Sequence, residues 1–304
     1  IGRAWAITFA RAGFEVALCD SAAEATEAAL AFIDDVLPFL ADNDLLNGQT
    51  PKVVRGRVKA APSIAAAVDG ADHVQENAPE RLDVKKALFT ELDRLARPDA
   101  VLASSSSAIL PSLISEHLAG RHRVCVCHPI NPPHLVPAVE VVPAPWTSPE
   151  TMSRATELMR AAGQKPIVMK RELDGFVMNR MQGAVLEEAF RLVADGYVDP
   201  EDVDIGLRDG LALRWSFMGP FETIDLNAPG GVVDYVARYQ QIYARITPTQ
   251  ARRVDWAGPV LEVVLKDRRA RLPEDKLVER QLWRDRRLMA LMAHKRKAAR
   301  EIGE

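Results

Sequence analysis

Residues 124–142 read VCVCHPINPPHLVPAVEVV, which is the pattern of a strand, a loop and a second strand. Val124 to Cys127 form a short apolar run, and Ala138 to Val142 form another that a single glutamate interrupts. Four prolines between the two runs prevent regular pairing and stiffen the connection. The pattern therefore predicts two neighbouring strands, with His128 at the mouth of one and Glu140 inside the other.

Glu140 is the unusual residue of this stretch, because a carboxylate inside a buried strand is costly unless another group pairs with it. The nearest candidate is the imidazole of His128. A carboxylate that holds one ring nitrogen leaves the other free as a base near neutral pH, since histidine titrates at about 6.5. The two residues alone leave another interpretation open, namely a structural histidine in the core beside an incidental glutamate.

The composition is that of an ordinary globular protein. The 304 residues leave room for two domains, and the net charge of −3 argues against a main role on nucleic acids or membrane surfaces. All three cysteines (Cys19, Cys125 and Cys127) lie in apolar strand-like runs, which predicts buried thiols in a reducing cytoplasm. Because Cys-Val-Cys is not a typical zinc-ligand spacing, we expect no metal site.

The first twenty residues predict a helix that Gly13 ends, then a strand, then the acidic residue Asp20. This order is the second half of a dinucleotide-binding βαβ unit, in which the acidic residue holds the ribose hydroxyls of the adenosine. Gly2 is a candidate for the third glycine of that motif. Its first strand and first two glycines are absent, so we expect a chain that lacks its true N-terminus.

The rest of the chain predicts an α/β domain over residues 1–171 and an all-helical domain over residues 172–304. Residues 21–59 read as an inserted helical pair that Ser21 caps and that Pro38 and Asn47-Gly48 interrupt. Serines 104–107 follow a predicted strand. They are either a helix cap and turn, which the residues alone favour, or hydroxyls at the ligand-binding edge of the sheet.

Several motifs in order along almost the whole chain resemble the 3-hydroxyacyl-CoA dehydrogenase superfamily. The likeness is closer to its lambda-crystallin branch, which includes L-gulonate 3-dehydrogenase. The motifs that carry the resemblance are QENAPE (75–80), ASSSS (103–107), HPINPP (128–133), VEVV (139–142), GFVMNR (175–180), RWSFMGPFETIDLN (214–227) and QLWRDRRLM (281–289).

The resemblance implies a Rossmann-like, NAD-binding domain and a dehydrogenase site. His128 would be the base that removes the substrate's hydroxyl proton, with Glu140 as its partner, and Ser107 and Asn179 would position the substrate oxygen. Residues at family positions near the dinucleotide are Gly2, Asp20, Glu80, Lys85, Ser107 and Asn131. For Glu80 and Lys85, a surface salt bridge on a helix is an open alternative. Asp20 favours NAD over NADP, because a carboxylate repels a 2′-phosphate.

Arg214 distinguishes the branches of the family, since acyl-CoA members carry a smaller, uncharged residue ahead of the GPFE segment. An arginine can clamp the carboxylate of a sugar acid, which favours L-gulonate as the substrate. A structural salt bridge is the alternative for Arg214. For the whole protein, the alternatives are a 3-hydroxyacyl-CoA or carnitine dehydrogenase, or a non-catalytic crystallin. By the same resemblance we expect a cytoplasmic homodimer.

Overall fold

The computed structural model describes residues 1–303, apart from the side chain of Ala23. The chain divides into two compact units. The first contains residues 1–179 and 284–294, and the second contains residues 180–283 and the segment from residue 295 on. The first unit carries all seven strands of the described residues, which confirms the predicted α/β class.

The strands are β1 (Val16–Leu18), β2 (Val58–Ala60), β3 (His73–Glu76), β4 (Val101–Ser104), β5 (Val124–Pro129), β6 (Ala138–Pro143) and β7 (Lys165–Val168). The helices that precede or connect them are α1 (Gly2–Arg11), α2 (Ala23–Asp42), α3 (Pro51–Gly56), α4 (Ile64–Val68), α5 (Leu82–Leu95), α6 (Pro111–Ser115) and α7 (Pro149–Ala161).

A five-stranded sheet in the order β3-β4-β5-β6-β7 organises this unit. All neighbouring pairs are parallel except β5 and β6, which run antiparallel. Strands β1 and β2 form a separate parallel pair. Strand β5 is buried along its whole length, as expected for a central strand covered on both faces. The carboxyl ends of β3, β4 and β5 therefore lie at one edge, where open α/β folds bind their ligands.

Residues 21–59 contain the two helices α2 and α3 on either side of Asn47-Gly48, but two details of the expectation are wrong. Helix α2 continues through Pro38, because Ile33, Leu37 and Leu40 form a buried stripe while the proline lies on the exposed face. Ser21 does not cap this helix, whose N-cap is Ala22. The second helix of the pair ends at Gly56, and strand β2, which pairs with β1, follows it.

The second unit is helical. Helix α8 (Met178–Ala194) leads into it, followed by α9 (Pro200–Ile205), a π-helical turn (Gly206–Leu211), α10 (Ala212–Trp215), α11 (Pro220–Leu226), α12 (Gly231–Gln250), α13 (Pro259–Arg271) and α14 (Leu277–Ile302). Among the described residues, no helix combines the length and the apolar character that crossing a membrane requires.

Candidate active site

His128 and Glu140 face each other across the antiparallel pair β5 and β6. The Nδ1 atom of His128 lies 2.6 Å from Oε2 of Glu140, and both side chains are buried. The contact follows from the register, since directly opposed residues point to the same face of the sheet. An imidazole that donates from Nδ1 to this carboxylate keeps its lone pair on Nε2, the atom that a base must use.

The second oxygen of Glu140 holds the start of helix α8. Glu140 Oε1 accepts the backbone N–H of Val177 at 2.6 Å and that of Met178 at 2.8 Å. Burial raises the pKa of Glu140, but the hydrogen bonds from His128, Met178 and Val177 outweigh burial and hold the pKa below its usual value. The carboxylate therefore stays ionised, and the positive end of a helix adds to its stabilisation.

Phe176 shapes the turn that presents these two N–H groups. Its φ of 48° lies in the left-handed region, which a bulky residue rarely adopts, and Gly175 before it has a φ of 75°. The Phe176 ring is fully buried and lies 5.7 Å from the His128 ring, centroid to centroid. The same residue thus turns the chain towards Glu140 and packs against the imidazole.

The structure also brings Asn179 and the Ser107 segment together. The Asn179 side-chain amide donates to the Ser107 carbonyl at 2.7 Å. Ser107 itself is exposed. The interpretation of serines 104–107 as a helix cap is wrong, because α6 begins only at Pro111 and its N-cap is Leu110.

Glu80 and Lys85 do form a salt bridge, but the lysine in it is buried rather than on the surface. The Lys85 side chain is 1% exposed, and its ammonium donates to both oxygens of Glu76 and to the Ala78 carbonyl. Glu80 lies 3.5 Å from the same ammonium. Burial raises the pKa of Glu80, but donors led by the Ser106 hydroxyl outweigh burial and lower it.

Gly2 and Asp20 are placed to suit the pyrophosphate and the adenosine ribose of a dinucleotide. Gly2 is the first residue of α1, where backbone N–H groups without a helical partner suit a pyrophosphate. Asp20 follows β1 and is exposed, and its hydrogen bonds from Ser21 and Ala22 both fall on Oδ1. An exposed carboxylate after a parallel strand suits the ribose hydroxyls of NAD.

Asn131 and Arg214 are the two remaining predicted site residues. Asn131 is exposed in the loop after β5, and among the described residues no hydrogen bond joins it to His128, Ser107 or Asn179. Arg214 belongs to the second unit, where its guanidinium donates to the Asn227 side chain at 3.1 Å. Within residues 1–303 no carboxylate forms an ion pair with Arg214, which argues against the salt-bridge alternative.

Sequence reasoning missed Glu76 and Phe176, and it did not find that Ser104 and Ser106 bind glutamates. One available signal was the pair of glutamates in QENAPE beside a lysine on the following helix, since a carboxylate at the end of a buried strand needs a cation or donors. The left-handed turn at Phe176 had no such signal, because only glycine, asparagine or aspartate announces that conformation in a sequence.

Comparison with known proteins defines the family. The model of the 3-hydroxyacyl-CoA dehydrogenase NAD binding domain matches residues 1–172, and the model of its C-terminal domain matches residues 175–259. The chain belongs to the 3-hydroxyacyl-CoA dehydrogenase family. As a member of this family it is an NAD-dependent hydroxy acid dehydrogenase.

Its similarity extends to individual members of the family. A lambda-crystallin homolog of Rattus norvegicus is 40% identical over 294 residues, which are 96% of this chain and 92% of the relative. An L-carnitine dehydrogenase of Bacillus cereus is 35% identical over 226 residues, covering 74% of this chain and 68% of the relative. The solved structure of an NAD-dependent 5-formyl-3-hydroxy-2-methylpyridine 4-carboxylic acid 5-dehydrogenase has a TM-score of 0.82 and 28% identity, covering 97% and 94% of the two chains.

Proposed function

We propose that this dehydrogenase oxidises the 3-hydroxyl of L-gulonate, or of a closely related small hydroxy acid, with His128 as general base. The contact of 2.6 Å between His128 Nδ1 and Glu140 is the observation that carries the proposal. It leaves Nε2 as the ring nitrogen for the substrate. The ionised carboxylate holds the imidazole in the required tautomer and stabilises the imidazolium that forms.

The chemistry divides between the chain and its cofactor. A bound NAD would supply the acceptor for the hydride that leaves the carbon bearing the hydroxyl. His128 Nε2 takes the hydroxyl proton, so the alcohol becomes a ketone. Ser107 and Asn179 bind the substrate oxygen, and the hydrogen bond between Asn179 and the Ser107 backbone supports this pairing of roles.

We assign the cofactor to Gly2, Asp20, Glu80, Lys85, Ser107 and Asn131. Asp20 accepts hydrogen bonds from the adenosine ribose, and its charge makes NADP a poor substitute for NAD. Comparable turnover with NADP would contradict the role of Asp20. Because Lys85 is buried against Glu76, its part in cofactor binding is indirect.

Arg214 gives the site its preference for a substrate that carries a carboxylate. Its guanidinium is partly exposed and donates a hydrogen bond to the neutral side-chain amide of Asn227. Its positive charge is therefore available for a substrate carboxylate. We expect Arg214→Met to raise KM for L-gulonate by about 10- to 100-fold, as expected for a lost charged hydrogen bond, and to leave the Kd for NADH unchanged. Arg208→Met is a control, since Arg208 pairs with Glu201 and Asp209 on the surface.

A substrate panel tests the function. The protein is mixed with NAD and L-gulonate, 3-hydroxybutyryl-CoA or L-carnitine, and NADH is followed by its absorbance. The proposal predicts the highest kcat/KM on L-gulonate. A higher value on 3-hydroxybutyryl-CoA or L-carnitine would assign the chain to those activities instead. The absence of NADH on any 3-hydroxy acid would favour a non-catalytic role.

We also propose a homodimer that forms through the second unit, in the cytoplasm. Large apolar side chains of this unit are exposed, among them Leu213, Phe217, Phe221, Val233 and Tyr243. An isolated soluble domain rarely leaves so many exposed together. All three cysteines are free thiols, which suits a reducing compartment. Light scattering after size exclusion should give twice the mass of the chain, and a monomer at micromolar concentration would contradict the dimer.

A further inference from the structure

We propose that Glu76 and Lys85 form a buried positioning pair, which acts through Glu80 and the Ser107 segment to hold Asn179 in place. The inference rests on the proposed role of Asn179 in binding the substrate oxygen. It assigns a task to Glu76, at the end of β3, and to Ser106, after β4. From the sequence, Glu76 had no role, and Ser106 was only part of a helix cap or a ligand-binding hydroxyl.

The pair is fully enclosed. The Glu76 and Lys85 side chains are 0% and 1% exposed, and the ammonium lies 2.9 Å from Oε1 and 3.0 Å from Oε2 of Glu76. The Ser104 hydroxyl and the Ala78 N–H also donate to Glu76, each at 2.5 Å. A buried ion pair is tolerated when additional hydrogen bonds satisfy both charges, and that condition holds here.

Lys85 connects this pair to Glu80. Its ammonium also donates to the Ala78 carbonyl at 3.2 Å and lies 3.5 Å from Glu80 Oε2. Residues 76–80 therefore wrap around one cation, which fixes where the Glu80 carboxylate points. Glu80 itself is more than one third exposed, so its direction depends on Lys85 and on the donors at its other oxygen.

Those donors form the segment after β4. Glu80 Oε1 accepts from the Ser106 hydroxyl at 2.5 Å and from the backbone N–H groups of Ser107 and Ala108 at 3.0 Å each. Three donors on one oxygen fix the orientation of this backbone. The carbonyl of Ser107 is the acceptor for the Asn179 amide at 2.7 Å. The contacts therefore run without a break from Glu76 to Asn179.

Geometry also explains why the cation is needed. Glu76 and Glu80 would repel each other without Lys85, and Glu80 could turn towards solvent because it is partly exposed. Removing only Lys85 would leave Glu76 as a buried, unpaired charge and would destabilise the fold. A test must therefore remove the pair together or change a neutral contact.

The first variant is Glu76→Gln/Lys85→Met, which removes both buried charges and keeps the approximate shape. Its matched control is Lys86→Met/Glu116→Gln. Lys86 is the next residue of α5 after Lys85, and its ammonium lies 2.8 Å from Glu116 Oε1 in a more exposed ion pair. The second variant is Ser106→Ala, with Ser153→Ala as its control, since Ser153 also donates to a glutamate, Glu157, but on the surface.

Hydrogen–deuterium exchange of segment 104–110, measured by mass spectrometry, tests the positioning without any substrate. We expect the segment to exchange about tenfold faster in both test variants than in wild type and controls, as for the loss of one hydrogen bond. Exchange at the wild-type rate would overturn the inference. This result does not depend on which hydroxy acid the protein oxidises, so failure on L-gulonate would affect only the proposed function.

Kinetics test the link to Asn179, with the hydroxy acid from the panel that gives the highest rate. We expect kcat to fall about 10- to 100-fold in both test variants, since small misplacements are costly. In an Asn179→Ala background, the same changes should lower kcat by a factor at least fivefold smaller, because the effects of coupled residues are not additive. Equal losses in both backgrounds would show a general structural effect and would contradict the inference.

Discussion

Glu140 accepts the backbone N–H of Met178 at 2.8 Å, and Met178 directly precedes Asn179 in helix α8. The other oxygen of the same carboxylate binds His128. One buried side chain therefore holds both the proposed base and the helix that carries a proposed substrate ligand. Any change at Glu140 should alter the two together, which a glutamate that served only as a partner for histidine would not do.

Replacing Glu140 with glutamine isolates the charge, because Glu140→Gln keeps the shape and one acceptor oxygen. We expect kcat/KM to fall about 10- to 100-fold, since the amide does not stabilise the imidazolium that forms on His128. The free energy of unfolding in urea should fall by about 1–3 kcal/mol, because an N–H or ring donor loses its ionised acceptor. Activity within threefold of wild type would rule out Glu140 as the partner of the base.

The low pKa of His134 in the folded protein predicts a loss of stability in acid. Burial, with the positive charges of Arg11 and Arg3, lowers the pKa of His134 from 6.5 to about 3. The unfolded chain therefore binds one more proton than the folded chain between these values, and stability falls as the pH is lowered through this window. The contribution is at most about 1.4 kcal/mol per pH unit.

The measurement is urea unfolding at pH 7, 6, 5 and 4 of wild type, His134→Gln and the control His122→Gln, which changes an exposed histidine. We expect His134→Gln to lose less stability than wild type between pH 6 and 4, and His122→Gln to follow wild type. Parallel curves for wild type and His134→Gln would show that His134 does not titrate differently in the folded state.

At Phe176 we expect the glycine variant to be more stable than the alanine variant, the reverse of the usual order. Both substitutions remove a buried ring and should cost about 3–5 kcal/mol. Glycine adopts the left-handed conformation without strain, so we expect Phe176→Gly to be about 1 kcal/mol more stable than Phe176→Ala. Phe89 is a control, because it is equally buried in the middle of helix α5.

At Phe89 the usual order should hold, with glycine about 1 kcal/mol less stable than alanine in a helix. Urea unfolding of the four variants decides the comparison. If Phe176→Gly is also the less stable of its pair, the left-handed turn contributes no strain to the folded state.

The contact between His128 and Glu140 could be predicted because it depends only on local pattern. Two apolar runs joined by a proline-rich loop pair as neighbours, and a charge in a buried strand must have a partner. The helix–strand–acid order before Asp20 was predictable for the same reason. In these features the local sequence leaves a residue few alternative environments.

Other parts depend on contacts between residues distant in the sequence. Helix α2 continues through Pro38 because its opposite face packs into the core, and propensity alone does not contain that information. Ser104 at the end of β4 and Ser106 after it bind glutamates that lie 28 and 26 residues earlier, rather than capping a helix. Strand β2 has only three residues, and its pairing with β1 defines it more than its composition does.

The role of His128 as the general base is tested most directly by the rate of NADH formation by His128→Gln. Glutamine can still bind Glu140 but cannot accept a proton at neutral pH. We predict that kcat on the preferred hydroxy acid falls about 10²- to 10⁴-fold, while the Kd for NADH stays within threefold of wild type. A kcat within threefold of wild type at pH 7 would contradict the assignment of His128 as the base.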